Sequence, residues 1–276
     1  VKNGKTNLLF GFMIKEGEFY EGSTSLKKGK ENFAWGWAIT EGEFDKRGRL
    51  TYGKEIVNGK YGWEYFGEFK KGIYDGQGKL KANVGFSYKG EFKSGKINGN
   101  GVYTDKKGSH LTGKFLSKKG KISWIDAEGT MIEGKNKIIG RVINNKFEGN
   151  IKIIHQNGAI WEGVFNNSKP YNGKGTYIGD GIELDGKIKD GKPLGCMIYK
   201  NKYRSYIGEM RIKKNRFEMH GNGISVNKRG KLKSGVFKEN ILDKKEPVEN
   251  VIEILKEKYP DFDDTKFDFI LSENTK

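Results

Sequence analysis

Residues 65–80 read YFGEFKKGIYDGQGKL and residues 88–103 read YKGEFKSGKINGNGVY, the same text 23 residues later in the same register. Tyr65, Gly67 and Phe69 align with Tyr88, Gly90 and Phe92, while Gly72, Gly76 and Gly78 align with Gly95, Gly99 and Gly101. A unit this short cannot close a core alone, so its apolar side must be buried against the next copy. The glycine of the aromatic-x-Gly-x-aromatic stretch recurs at Gly17, Gly42, Gly67, Gly90, Gly113, Gly140, Gly163, Gly186, Gly208 and Gly235, at intervals of 25, 25, 23, 23, 27, 23, 23, 22 and 27. Tandem units therefore fill most of the chain. Residues 119–137 are irregular, and Gly134 competes with Gly140 as an anchor.

Within a unit the period is two. Tyr88, Gly90 and Phe92 project to one side of a strand, and Lys89, Glu91 and Lys93 to the other. The turn text SGKING comes next, and Gly99, Gly101 and Tyr103 then share one side of a second strand. Each unit is predicted to be a β-hairpin. Glycine between two aromatic residues leaves a slot that a neighbouring unit's ring is expected to fill. A lone hairpin is marginal in water, so successive hairpins must pair into one antiparallel sheet. At a strand spacing of about 4.8 Å, the repeats would extend roughly 90 to 100 Å. The predicted class is all-β: an elongated single-layer antiparallel sheet of tandem hairpins over residues 1–240.

The repeat stops after Asn240, and no glycine occurs beyond it. Val248, Val251, Ile252, Leu255 and Tyr259 recur at helical spacing before Pro260, which predicts a short amphipathic α-helix over residues 248–259. Residues 241–276 are thus expected to form a helix and an acidic tail that caps or docks on the sheet. From Asp243 onward there are 10 acidic and 6 basic residues, and Phe262, Phe267, Phe269, Ile270 and Leu271 are available for docking.

With only 34% hydrophobic residues and 41 glycines, the mixture is unusual for a thick core, and 13% aromatic residues point to a thin, ring-lined one. The net charge of +17 invites a polyanion partner, yet only 7 of 52 basic residues are arginine, the residue that reads guanine and grips phosphate in bidentate fashion. Specific nucleic-acid recognition is not expected. A single cysteine, Cys196, excludes an intrachain disulfide framework and fits a cytoplasmic protein, peripheral to a membrane or cytoskeleton. The first residues lack the order of a signal peptide, but the chain starts at Val1, so trimming leaves secretion open.

The copies YFGEFKKGIYDGQG, YKGEFKSGKINGNG and, with one insertion, WEGVFNNSKPYNGKG at residues 161–175 resemble MORN (membrane occupation and recognition nexus) repeats, whose pattern is Y-x-G-x-[FW]-x-x-G-x-x-x-G-x-G. LDGKIKDGKPLG, and YIGEM with a later HGNG, are weaker copies, and the resemblance spans residues 15–238. It implies a meandering single-layer sheet that serves as a protein-interaction or membrane-associated scaffold. The units at Gly113 and Gly140 lack the paired G-x-G, and the Gly208 unit carries the insert RIKKNRFEM, so the register at 114–139 and 209–220 stays open.

Catalytic, cofactor and metal sites are not expected. The G-x-G pairs such as Gly76/Gly78 have no third glycine and open no helix. His110, His155 and His220 occur singly in different units, Cys196 has no ligand-spaced partner, and Asp261, Asp263 and Asp264 lack the glycine and final glutamate of a calcium loop. The recurring rings are more informative. Tyr65, Phe69, Tyr88, Phe92, Trp161, Phe165 and Tyr206 are expected to line a groove on the uncovered face of the sheet, with the C-terminal helix as one candidate occupant. The leading reading is a non-enzymatic scaffold that binds a protein or peptide, or its own kind, through that groove or its ends. The alternatives are peripheral binding to anionic lipid through Lys70, Lys71, Lys93, Lys96, Lys118 and Lys119, and a hydrolase or lyase hidden among the hairpins.

Overall fold

Every glycine of the ruler lies inside a strand, and always the first strand of a hairpin. The computed structural model describes residues 2–8, 12–179, 181–213, 216–263 and 265. The chain divides into two compact units, Val1–Ile132 with Arg141–Lys146 and Glu133–Gly140 with Phe147–Lys276.

The first unit carries β1 (Lys2–Leu8), β2 (Met13–Phe19), β3 (Leu26–Phe33), β4 (Ala38–Phe44), β5 (Leu50–Val57) and β6 (Trp63–Lys70). It continues through β7 (Ile73–Ala82), β8 (Phe86–Lys93), β9 (Lys96–Asp105), β10 (His110–Lys118) and β11 (Lys121–Glu133), save the last residue of β11. Each strand pairs antiparallel with the next in the chain. β12 (Asn136–Ile143) contributes residues to both units.

The second unit holds nearly all of β13 (Lys146–Ile154), then β14 (Ile160–Asn166), β15 (Lys169–Gly179), β16 (Ile182–Lys189) and β17 (Lys192–Asn201). β18 (Arg204–Lys213), β19 (Arg216–Asn227), β20 (Leu232–Lys238), β21 (Ile241–Lys245) and the helix α1 (Val248–Lys258) complete it. From β13 to β21 the strands again pair in chain order. The class is all-β, open antiparallel sheet built of hairpins, with one short C-terminal helix. Pairing runs one strand past Asn240, since Ile241 lies opposite Lys238.

The pairing puts the glycines in rows. In the first unit Gly4, Gly17, Gly29, Gly42, Gly53, Gly67, Gly78, Gly90, Gly101 and Gly113 face one another across successive strands. Next in line stands Ala127, which explains why the Gly113 unit lacks a second glycine. The insert RIKKNRFEM simply lengthens a hairpin: Arg211 pairs with Glu218 and Ile212 with Phe217 at the ends of β18 and β19.

Hairpin turns of two residues close one end of the strands. Lys71–Gly72, Ser94–Gly95, Lys119–Gly120 and Asp190–Gly191 each have both residues at positive φ, the twist that matches right-handed strands. At the helix, Pro247 stands at the N-terminal boundary and Tyr259 ends the last turn, its N–H bonded to the Leu255 carbonyl. Val251 and Leu255 are fully buried, as helical spacing predicts.

Candidate functional site

The seven rings expected to line an open groove are all buried, none more than 8% exposed. Four of them, Tyr65, Tyr88, Trp161 and Tyr206, roof a glycine of their own hairpin. A methyl group added at Gly78 would overlap the Tyr65 ring, one at Gly101 the Tyr88 ring, and one at Gly223 the Tyr206 ring. The slot is therefore filled from two residues earlier on the same strand or from the paired strand, and not by a neighbouring unit's ring. The Tyr65 hydroxyl donates to the Glu68 carbonyl at 2.9 Å, and the Tyr206 hydroxyl to the Glu209 carbonyl at 2.8 Å.

Contacts between hairpins come from the second aromatic. Phe92 packs edge-on against both Tyr65 and Tyr88, at 5.0 and 5.4 Å between centroids, and Tyr88 meets Phe115 at 5.6 Å. Burial pushes the Tyr88 hydroxyl up to about 12, with the Glu91 charge adding to the rise against a lowering hydrogen bond to the Glu91 backbone. Trp161 and Phe165 form the corresponding pair in the second unit, 6.5 Å apart. These rings form the inner layer of the sheet. Surface open to a partner lies on other residues.

Lys70, Lys71, Lys93, Lys96, Lys118 and Lys119 are all exposed, in or beside three successive two-residue turns at one end of the first unit's strands. Exposed rings cluster at the opposite strand end of that unit: Trp35 (77% exposed), Trp37 (57%) and Tyr61 (74%) sit in the turns before β4 and β6.

The expected helix docks, but on the face away from the rings. Val251 and Leu255 pack against Ile207, Ile224 and Val226, with Cys196, Ile198, Leu232, Tyr259 and Phe262 around them. Ile207 is the residue between Tyr206 and Gly208, and it lies opposite Ile198 on one side and Ile224 on the other. That position carries Lys89 in the second aligned copy. Ile207, Ile224 and Val226, with Cys196, Ile198 and Leu232, make the seat for the helix, on the face where the first unit carries Lys79, Lys81 and Lys89.

Glu209 fixes the end of α1. One carboxylate oxygen accepts from Lys258 Nζ at 2.5 Å and from the Tyr259 hydroxyl at 2.6 Å, and the other accepts from the Asn222 N–H at 2.7 Å. The last bond has a repeat-wide cause. A register shift after the glycine frees a backbone N–H on the paired strand, and the glutamate next to the glycine satisfies it: Glu68 for Gln77, Glu91 for Asn100, Glu209 for Asn222. Burial raises the Glu209 pKa, but the hydrogen bonds from Lys258, Tyr259 and Asn222 outweigh it and hold the carboxyl below its ordinary value. Recurrence of Glu68, Glu91 and Glu209 at one offset is the sequence signal for this role, whereas strand alternation alone marks them only as outward-facing.

A groove of about 590 Å³ continues from the helix seat. Tyr259, Pro260, Asp261, Phe262 and Asp263 make one wall, and Gly175, Gly186 and Gly195 belong to its lining. Ile160 (43% exposed) and Leu194 (50%) stand open in it. Lys187 reaches across to Asp261 at 2.5 Å and lowers its pKa. Phe267, Phe269, Ile270 and Leu271 lie outside the described residues.

No catalytic arrangement stands out among the described residues, where no group of three or more His, Cys, Asp or Glu converges to hold a metal ion. His155 is buried, which lowers its pKa, and is hydrogen-bonded to the Thr176 carbonyl at 3.0 Å. No helix of the described residues is long and apolar enough to cross a membrane.

A protein-family model described as MORN repeat matches residues 65–85 and 88–110, the hairpins β6–β7 and β8–β9 with the turns after them. A search of curated proteins found no match to the chain.

Proposed function

On the premise that this chain carries MORN repeats, units that commonly serve protein or membrane interaction, we propose that it is a non-enzymatic module that binds a protein segment on the face opposite the rings. The docking of α1 carries this reading: the second unit already holds an amphipathic helix there, with two of its side chains fully buried. Helix-in-groove binding uses this chemistry between chains, with apolar anchors for affinity and charges for orientation. The groove beside α1 offers a partner Ile160 and Leu194 as apolar contacts and Glu162, Lys174 and Asp185 as polar ones. The seven buried rings then serve to support the sheet.

The test compares affinity capture by the full chain, by Ile160→Asp/Leu194→Asp, and by Trp35→Ser/Tyr61→Ser. Partners lost only with the groove pair support the reading. Unchanged recovery with that pair overturns it.

One observation favours a second reading, contact with an anionic membrane. Trp35, Trp37 and Tyr61 protrude from one strand end of the first unit, and Lys60 adjoins Tyr61 with its amine 5.6 Å from the ring centroid. Rings of this kind suit the headgroup region. The lysine row from Lys70 to Lys119 lies at the other strand end, so a flat surface would meet one row or the other. Sedimentation with anionic vesicles separates them: loss on Trp35→Ser/Tyr61→Ser assigns the ring row, and a steep salt dependence the lysine row.

A further inference from the structure

We infer that α1 is a resident ligand of the second unit, and that the partner is an amphipathic helix of the same pattern, which takes over the seat when α1 lifts off. The inference rests on the reading of this outer face as the binding face, and it names the partner's chemistry and what regulates access. The repeat does not need the helix. In the first unit Tyr65 roofs Gly78 on the same kind of inner face, while Phe66, in the place of Ile207, is left 47% exposed. Glu209 does not need it either. Its bonds to the Asn222 N–H at 2.7 Å and to the Asn222 side-chain amide at 3.1 Å lie within the hairpin, just as Glu68 serves Gln77 and Glu91 serves Asn100. Lifting α1 therefore leaves the carboxylate bonded and uncovers an apolar strip that ends in a charge.

The tether allows such an exchange. Only Glu246 and Pro247 join β21 to α1, and the helix has 11 residues, short of the roughly 12 to 15 at which even good sequences become marginally helical in water. Helix formation and docking are thus one event. The present occupant shows what the seat asks of a ligand. Val251 and Leu255, one turn apart, are fully buried on Ile207, Ile224 and Val226. Lys258 Nζ and the Tyr259 hydroxyl then reach Glu209 at 2.5 and 2.6 Å, Asp261 meets Lys187 at 2.5 Å, and Phe262 packs against the same cluster. That order fixes a direction, because a reversed helix would bring its acidic end to Glu209 instead of Lys187. Affinity for a partner helix falls with the fraction of chains whose seat is open.

The probe is a fluorescein-labelled synthetic peptide of residues 246–263, followed by anisotropy against full-length chains. Val251→Asp/Leu255→Asp keeps the chain's own helix off the seat. It should bind the peptide roughly a hundredfold more tightly than the parent chain, for a dissociation constant of about 10 μM opposed by an effective concentration of about 1 mM. Lys258→Ala/Tyr259→Phe only unclasps the end of the helix, and should tighten binding roughly tenfold through loss of its charge-assisted bonds. Adding Ile224→Lys to the first variant should abolish binding, and a peptide carrying Val251→Asp/Leu255→Asp should bind none of the chains. Matching far-UV circular dichroism confirms that the variants are folded.

Equal affinity for the parent chain and both folded variants, or no binding to either variant, overturns the inference. If Ile160→Asp/Leu194→Asp nevertheless abolishes partner capture, the resident-helix proposal fails and the groove reading stands. If capture is also unchanged, both fail.

Discussion

The outer faces of β6–β7 and of β18–β19 occupy the same place in their repeats and have opposite fates. Behind both lies the same inner face, a tyrosine folded over a glycine pair, Tyr65 over Gly67/Gly78 and Tyr206 over Gly208/Gly223. On the outside, Ile207, Ile224 and Val226 correspond to Phe66, Lys79 and Lys81. The former are covered by α1; Phe66 is 47% exposed. Its ring meets Tyr52 edge-on at 5.4 Å, among Lys28, Lys54, Glu41 and Glu43. The helix thus sits where this face carries branched aliphatic residues in place of the lysines of β7.

The largest expected effect tests the shared half of this comparison. Tyr65→Ala and Tyr206→Ala should each cost about 3–5 kcal/mol by urea unfolding, as for other large buried rings. Clearly unequal losses would break the claim of an equivalent inner face. Second is Ile224→Lys, which gives the second unit the residue found at Lys79. It should cost about 2–4 kcal/mol, through lost apolar contact and a buried charge, and should expose α1 to limited proteolysis. Protection of the helix equal to that of the parent chain would show that its docking does not depend on this seat.

Third is the carboxylate at the end of the helix. Glu209→Gln should cost about 1–2 kcal/mol by loss of charged hydrogen bonds. The pH dependence has a definite sign. Folding lowers the Glu209 pKa, so its contribution is fully present above the ordinary value of 4.5 and is lost as the pH falls through the lowered folded value. Hydrogen exchange in α1 should accelerate over that acid range in the parent chain and stay flat there in the glutamine variant. The smallest effect is on the open face. Lys79→Ile should change stability by no more than about 0.5 kcal/mol, because α1 docks elsewhere, on β18–β20; a gain well beyond that would mean the first unit has a covering partner of its own.

Much of the fold was legible because its rules are local. The offset of Gly67 from Tyr65 and Phe69 fixed the strand, the face and the register at once, and all ten glycines marked first strands of hairpins. Ala127 opposite Gly113, and the lengthened hairpin at Arg211 to Glu218, place the Gly113 and Gly208 copies without changing the pattern. Two things were not local. A tyrosine side chain is long enough to reach back over its own hairpin's glycines, so the rings are buried without a covering layer, which strand alternation alone does not reveal. The face chosen by α1 depends on contacts between residues some 30 to 50 positions apart, such as Leu255 with Ile207 and Ile224. Its trace in the sequence was nonetheless present, as Ile198, Ile207, Ile224 and Val226 at positions that alternate with the inner row.

The rings roofing their own glycines have a consequence for how such a chain can change length. Because Tyr88 shields Gly90 and Gly101 of its own hairpin, a two-strand unit brings its lining with it when copied, and leaves no unmatched hole when removed. At the join, the strand pairing and the edge contacts that Phe92 makes with Tyr65 and Tyr74 must be re-formed. Duplication in steps of about two strands is then nearly neutral on one face, while the other face is released to diverge copy by copy. A gene history of this kind would write its specificity in the residues between the tyrosine and the glycine, where Phe66, Lys89 and Ile207 already differ.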